Sequence, residues 1–498
     1  VKLGVNAGNS ITSGGNYNTV IGDEAGTALT TGDDNVAVGF EALKTEDEHG
    51  RNVAVGYQSL KTLNAGALAV TTTVGYKAGT SLTTGVQNVL IGGLSGDALT
   101  DADFNVAVGN NTLTSDTKGN KSTAIGYEAL TTQNQTTSTD TFNTAVGFQA
   151  GASVTTGDQN TIVGGLAADS LTVGVNNVVM GVAALRTDVG GSRTVAIGRG
   201  SLEAQNMGST DTNSNNTAVG YASGGSVTTG IQNTLVGAEA GDALTDADFN
   251  VAVGKEALTS DTKGNKSVAL GMGTLANQNF TTSTDSFNTA VGHIAGNAIT
   301  TGRLNVLVGS LAGDALTTGT ENVVMGHAAL STEDTGNKST AIGYSALNAQ
   351  NNDADNYNVA VGYNAGLSVT TGTVNTFVGG LAGDALTTGA HNTAMGMQAL
   401  TSDTKGSNSI AIGSFALNSQ NFTTATDSHN TAVGYSAGSA VTTGKDNTLI
   451  GGLAGDALTV GELNVAVGRS ALSADDVGSR STAVGYAALQ LQNYSTAT

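Results

Sequence analysis

The sequence predicts an all-β chain folded as a parallel β-solenoid, a β-roll of about 28 coils, each about seventeen residues long. Three observations lead there. A short phrase, Asn-(Thr/Val)-(Ala/Leu/Val)-(Val/Ile)-Gly, returns along the whole chain, with glycines at Gly4, Gly22, Gly39, Gly56 and onward to Gly485, most of them spaced as Gly22, Gly39 and Gly56 are. The three residues before each glycine are β-branched, then mostly apolar, then aliphatic, as in Val36-Ala37-Val38 and Thr376-Phe377-Val378. Runs of this kind, punctuated by Gly and Asn, read as strands. No apolar spacing of i, i+3, i+4, i+7 lasts long enough for an amphipathic helix.

The repeat has a higher order. Every fourth interval is longer by two to five residues, as in 56 to 75 and 198 to 220. This gives seven four-coil units, residues 1–74, 75–146, 147–219, 220–291, 292–361, 362–433 and 434–498, with no linker between them. The first coil of a unit closes with Thr-Thr-Gly. The second carries a phrase like Gly380-Leu381-Ala382-Gly383-Asp384. The third ends in a polar turn such as Ser402-Asp403-Thr404-Lys405-Gly406. The fourth carries the variable insert, as at Gln420 to Ser428.

Adjacent strand residues point to opposite faces, and here both faces are apolar. One fills the inside of a coil. The other calls for a partner, most simply further copies of the same chain, and a homotrimer is expected. Asn, which occupies the place four before most of the glycines, tolerates turn geometry and can bond up and down a ladder. The glycine turns the chain where a Cβ would clash. Coils stacked at about 4.8 Å give a shaft on the order of 130 Å long.

Composition narrows the chemistry. Gly is 71 of 498 residues and Pro, Cys and Trp are absent, so there is no disulfide, thiolate metal site or Cys nucleophile. A net charge of −21 repels phosphate backbones and anionic lipid, which argues against nucleic acid as a partner. No apolar run approaches the roughly 18 residues a membrane helix needs, so no membrane insertion is expected. The chain begins inside a coil and stops at Thr498 inside what would be the next insert, as expected of a segment of a longer or processed protein.

The phrase Asn-Thr-Ala-Val-Gly-Tyr-x-Ala, as at Asn430 to Ala437, resembles the shaft repeats of bacteriophage tail and side fibres. The run Asn408-Ser409-Ile410-Ala411-Ile412-Gly413 is similar to the head repeats of YadA-like trimeric autotransporter adhesins, whose coils are usually shorter than those here. The resemblance covers essentially the whole chain and marks architecture. It implies a homotrimer on a virion surface or otherwise extracellular. In the first family the chain would be a structural fibre shaft that presents or spaces host-receptor-binding parts, with other fibre or virion proteins as partners. In the alternative it would be a bacterial surface adhesin. A third reading is a monomeric solenoid binding ice, ions or glycan on one face.

Candidate sites recur with the repeat. Seven residues after each third-coil glycine stands an acid: Glu46, Asp116, Asp188, Asp261, Glu333, Asp403 and Asp475. Each is read as accepting turn hydrogen bonds or facing a nearby cation such as Lys118, Lys263 or Lys405; the alternative is that three chains around an axis gather such carboxylates about Ca²⁺. A second acidic row comprises Asp97, Asp169, Asp242, Asp314, Asp384 and Asp456. Thr stands eight places after the glycine in every first and second coil, which reads as a structural ladder rather than an ice-binding row. The fourth-coil inserts carry Phe142, Phe280, Phe287, Tyr357 and Phe422 among Thr, Ser, Asn and Asp, a mixture suited to contact with a host surface glycan. The Gly-Gly-Leu-x-Gly phrases follow the solenoid period and open no helix, so they are not read as phosphate loops, and no cofactor is expected. The five His residues fall on unrelated registers, and the chain is not expected to be an enzyme.

Overall fold

A computed structural model describes residues 1–494; the last four residues of the seventh four-coil unit, and with them the expected end of the chain within an insert, lie outside the described residues. The chain divides into two compact units, Val1–Phe249 and Asn250–Thr498. Each is a parallel β-solenoid whose coils mostly follow one another at seventeen-residue intervals, and the described residues contain no helix.

The strands are the triplets before the repeat glycines. In the first unit, Val36–Val38 lies between Thr19–Ile21 and Val53–Val55, with Ala37 opposite both Val20 and Ala54. In the second, Thr376–Val378 lies between Val359–Val361 and Thr393–Met395, with Phe377 opposite Ala360 and Ala394. Because coil follows coil in register, each position becomes a column of like residues, and the middle residue of the triplet is the one that turns inward. Ala37, Leu90, Ile162, Val324 and Phe377 are all fully buried.

After the triplet the chain turns sharply. Gly109 has φ +143°, and a Cβ there would overlap the carbonyl of Gly126 in the next coil. That close backbone approach, repeated coil by coil, is why this position is glycine. The residue four places further on also lies at positive φ, and what stands there differs by coil. First and second coils have Gly, as at Gly79 and Gly96, with Ala168 the exception, and place their core-filling residue three places later, at Leu82 and Leu99. Third and fourth coils instead have Leu at the positive-φ position, as at Leu113 (φ +50°) and Leu130 (φ +50°). Moving the Leu three places back vacates the later position, and buried Asp116 and Gln133 occupy it.

The Asn column satisfies backbone groups that would otherwise be buried without partners. Asn105 N donates to Asn88 Oδ1 at 2.9 Å, and Ser122 N donates to Asn105 Oδ1 at 2.8 Å. The Nδ2 of Asn105 closes its own coil by donating to Gly119 O at 2.9 Å.

The inserts are tied down. Thr139–Asp140 pairs in parallel with Gly119–Asn120, Thr212–Asn213 with Gly191–Ser192, Thr284–Asp285 with Gly264–Asn265, and Thr426–Asp427 with Gly406–Ser407. These four inserts thus each add a second short ladder on the turn of the coil before it, and that of the fifth unit adds a single bridge, Asn337 to Asp355.

Candidate functional site

The third-coil acids point into the coil. Asp116, Asp188, Asp261, Glu333, Asp403 and Asp475 are fully buried within a single chain, so the expectation that they meet around an axis between chains to hold Ca²⁺ does not stand. Their oxygens are already occupied. Asp116 Oδ1 accepts from Gly119 N and Gln135 N, each at 3.0 Å, and Oδ2 accepts from Gln133 Nε2 at 2.5 Å. The same amide donates to Ser122 Oγ at 2.9 Å, while Gln133 Oε1 accepts from Asn143 Nδ2 at 2.9 Å. The pattern returns with Gln205 on Asp188, Gln278 on Asp261, Gln350 on Glu333, Gln420 on Asp403 and Gln492 on Asp475. A buried charge costs little only when it is hydrogen-bonded throughout, and here a network of acid, amide, hydroxyl and Asn supplies the donors. The Gln was not singled out from sequence. Its signal was there: it stands seven residues after the fourth-coil glycine, one coil beyond the acid in the same register.

The second acidic row is different. One oxygen each of Asp97, Asp169, Asp314 and Asp456 is buried without a hydrogen-bond donor. Burial pushes the carboxyls of all four above their ordinary value of 3.8, and also that of Asp384, which accepts from Thr401. Glu41 is held the other way, down to about 2, by Lys44, Lys61 and Gln58 around a carboxylate only 11% exposed.

The insert aromatics divide into two sets. Phe280 and Phe422 are only 6% exposed, so they leave no ring face for a glycan; the backbone N–H of each donates to a buried acid, Asp261 at 3.0 Å and Asp403 at 3.1 Å, which draws the ring inward. Phe142, Phe287 and Tyr357 are about half exposed, at 54%, 49% and 52%. Each lies beneath a lysine: Lys121 Nζ is 5.1 Å from the Phe142 centroid, and Lys266 and Lys338 are each 5.2 Å from theirs. The same lysines pair with Asp140, Asp285 and Asp355 at 2.5–2.6 Å.

An outer column of rings was not read as a site. Directly after the repeat glycines, Phe40, Tyr57 and Tyr76 stack at 5.3 and 5.4 Å, and His327, Tyr344 and Tyr363 stack at 5.4 Å in each pair. In the sixth four-coil unit Ser414 takes that place, and the ring moves one residue on to Phe415. Phe415 meets Tyr435 edge-on at 6.0 Å, and the two open a groove of about 440 Å³ that also carries Asn418, Ser419, Ser436 and Ser439. Beside the aromatic column run the outward residues of the strand triplets, where Ile91, Ile125, Met180, Met325 and Met395 are 37–42% exposed.

The chain matches no protein-family model and no curated protein sequence. No helix among the described residues is long and apolar enough to cross a membrane.

Proposed function

We propose that the chain is a structural fibre shaft of a bacteriophage, a homotrimer that spaces or presents host-receptor-binding parts at the virion surface. The observation that carries this reading is the outward apolar column of the strand triplets, repeated coil after coil and still more than a third exposed in one chain at Ile91, Ile125, Met180, Met325 and Met395. A monomer gains nothing from such a column, whereas two further copies would bury it. The function is mechanical: nearest-neighbour coils each contribute a backbone ladder, a slice of core and a buried polar link, so stability grows with coil number. No catalytic step is assigned to it.

The test is removal of residues 75–146, one four-coil unit lying wholly within the first compact unit. The expected product still unfolds cooperatively in urea with a proportionately smaller m-value. A protein that no longer folds after loss of one unit would contradict the additive shaft.

A bacterial surface adhesin is the second reading, favoured by the groove between Phe415 and Tyr435. Aromatic faces beside amide and hydroxyl groups suit a saccharide, and the exposed rings of Phe142, Phe287 and Tyr357 offer further contacts with a host glycan. Virion structural genes beside this gene select the shaft, and a membrane-anchor domain in the same reading frame selects the adhesin.

A further inference from the structure

The first four-coil unit breaks the buried acid–amide pattern at four places at once. Its acid is Glu46, but Leu63 stands where the other six units have Gln, so the amide donor is gone. Asn52 replaces the Ser or Thr that accepts from that amide elsewhere, and Thr71 replaces the Asn that donates to it. His49 stands where the other six have Gly119, Gly191, Gly264, Gly336, Gly406 and Gly478. In those units a Cβ at the glycine would collide with the acid side chain. An imidazole has therefore been brought in where the fold otherwise excludes any side chain.

The consequence is a set of under-satisfied groups. Glu46 is fully buried, and its donors are His49 N at 3.2 Å and Ala65 N at 3.4 Å, longer than the 3.0, 3.0 and 2.5 Å around Asp116. His49 Nδ1 is buried without a hydrogen-bond partner and lies 3.5 Å from Glu46 Oε1. Asn52 Nδ2, on a fully buried side chain, also has no partner. A carboxylate oxygen of Asp47 completes a cluster in which one ligand atom from each of Glu46, Asp47 and His49 lies within 4.8 Å of the others.

We propose that Glu46, Asp47 and His49 bind a divalent transition-metal ion, with Zn²⁺ the best match. A direct N–H···O bond would bring Nδ1 and Oε1 to about 2.7–3.2 Å. Two ligands on one tetrahedral ion with bonds of about 2.0–2.1 Å stand about 3.3–3.5 Å apart, the separation this pair has. One imidazole and two carboxylates suit Zn²⁺ better than Ca²⁺, which takes six to eight oxygens. The ion would do in the first unit what Gln does in the other six, compensating a buried carboxylate.

The test is titration of the intact, chelator-stripped protein with Zn²⁺ by calorimetry, with Ca²⁺ as competitor. One saturable Zn²⁺ per chain is expected, undisturbed by excess Ca²⁺. His49→Ala should weaken it by more than the roughly tenfold that loss of even an outer-shell partner costs, and His391→Ala should leave it unchanged. The double variant His49→Gly with Leu63→Gln restores two of the four places, the glycine and the amide of the other six units; it should stay folded by circular dichroism and lose the site. Absence of a saturable site, binding that survives His49→Ala, or equal displacement by Ca²⁺ would overturn the proposal.

Discussion

The side-chain amide of Gln133 donates to the carboxylate of Asp116, seventeen residues earlier, at 2.5 Å, and neither side chain touches solvent. One bond thus joins the third coil of a unit to the fourth. Leaving a buried polar group without its hydrogen-bond partner typically costs about 1–3 kcal/mol, more where the group is charged. Gln133→Leu is expected to fall at the lower end, because Asp116 keeps two backbone donors. Asp116→Ala with Gln133→Leu should cost less than the two single changes added together. Urea unfolding of the four proteins measures the coupling, and additive costs would show that the pair does not act together.

Glycines at two kinds of position should respond in opposite ways. Gly109, at φ +143° against the Gly126 carbonyl, should not accept a side chain, and Gly109→Ala should lower the melting temperature clearly. Gly165 has no atom within 4 Å of where a Cβ would stand and does not lie at positive φ. Gly165→Ala should be neutral or raise stability by up to about 1 kcal/mol, by restricting the unfolded chain. Equal effects in a thermal melt would contradict the backbone geometry.

Acidification should first stabilise the protein and then destabilise it. The carboxyls of Asp97, Asp169, Asp314, Asp384 and Asp456 lie above 3.8 in the fold, so their charged forms cost more folded than unfolded. That cost is fully in force above the raised values and disappears as pH falls through them toward 3.8. Glu41, lowered from 4.5 to about 2, has the opposite sign: its contribution is complete above 4.5 and is lost as pH falls toward 2. Stability should therefore peak near the 3.8–4.5 window between the two ordinary values. Combined Asp→Asn changes at 97, 169, 314 and 456 should flatten the rise between neutral pH and that peak. An unchanged slope in denaturant unfolding would sink the assignment.

The two insert rings of the fourth four-coil unit should separate just as clearly. Phe280→Ala empties a nearly buried position and should cost about 3–5 kcal/mol. Phe287→Ala removes a half-exposed ring and its contact with Lys266, worth about 0.5–1 kcal/mol. Similar losses in both variants would contradict the burial assigned here.

The ladder was legible in the sequence because a one-coil period copies each requirement many times. Val36-Ala37-Val38 and Thr376-Phe377-Val378 declare the strands, and Asn105 and Gly109 declare the link and the turn. Which strand face turns inward was not legible, since both carry apolar residues; only the fold shows Ala37 inside and Val38 outside. The acids were legible as acceptors of turn hydrogen bonds, and Gly119 N does donate to Asp116, but a repeated register says nothing of direction. Asp116 faces inward only because Leu113, at positive φ, has taken over the core-filling role and vacated the later position. Phe280 and Phe287 are alike in composition, and their separation depends on Asp261 capturing one backbone N–H.

The outward column of Ile and Met beside the strand glycines is the feature on which the shaft reading rests, and native mass tests it most directly. Light scattering behind size exclusion should give three times the 49.1 kDa chain. A value of one chain would contradict the trimeric shaft and leave those columns as a surface facing water.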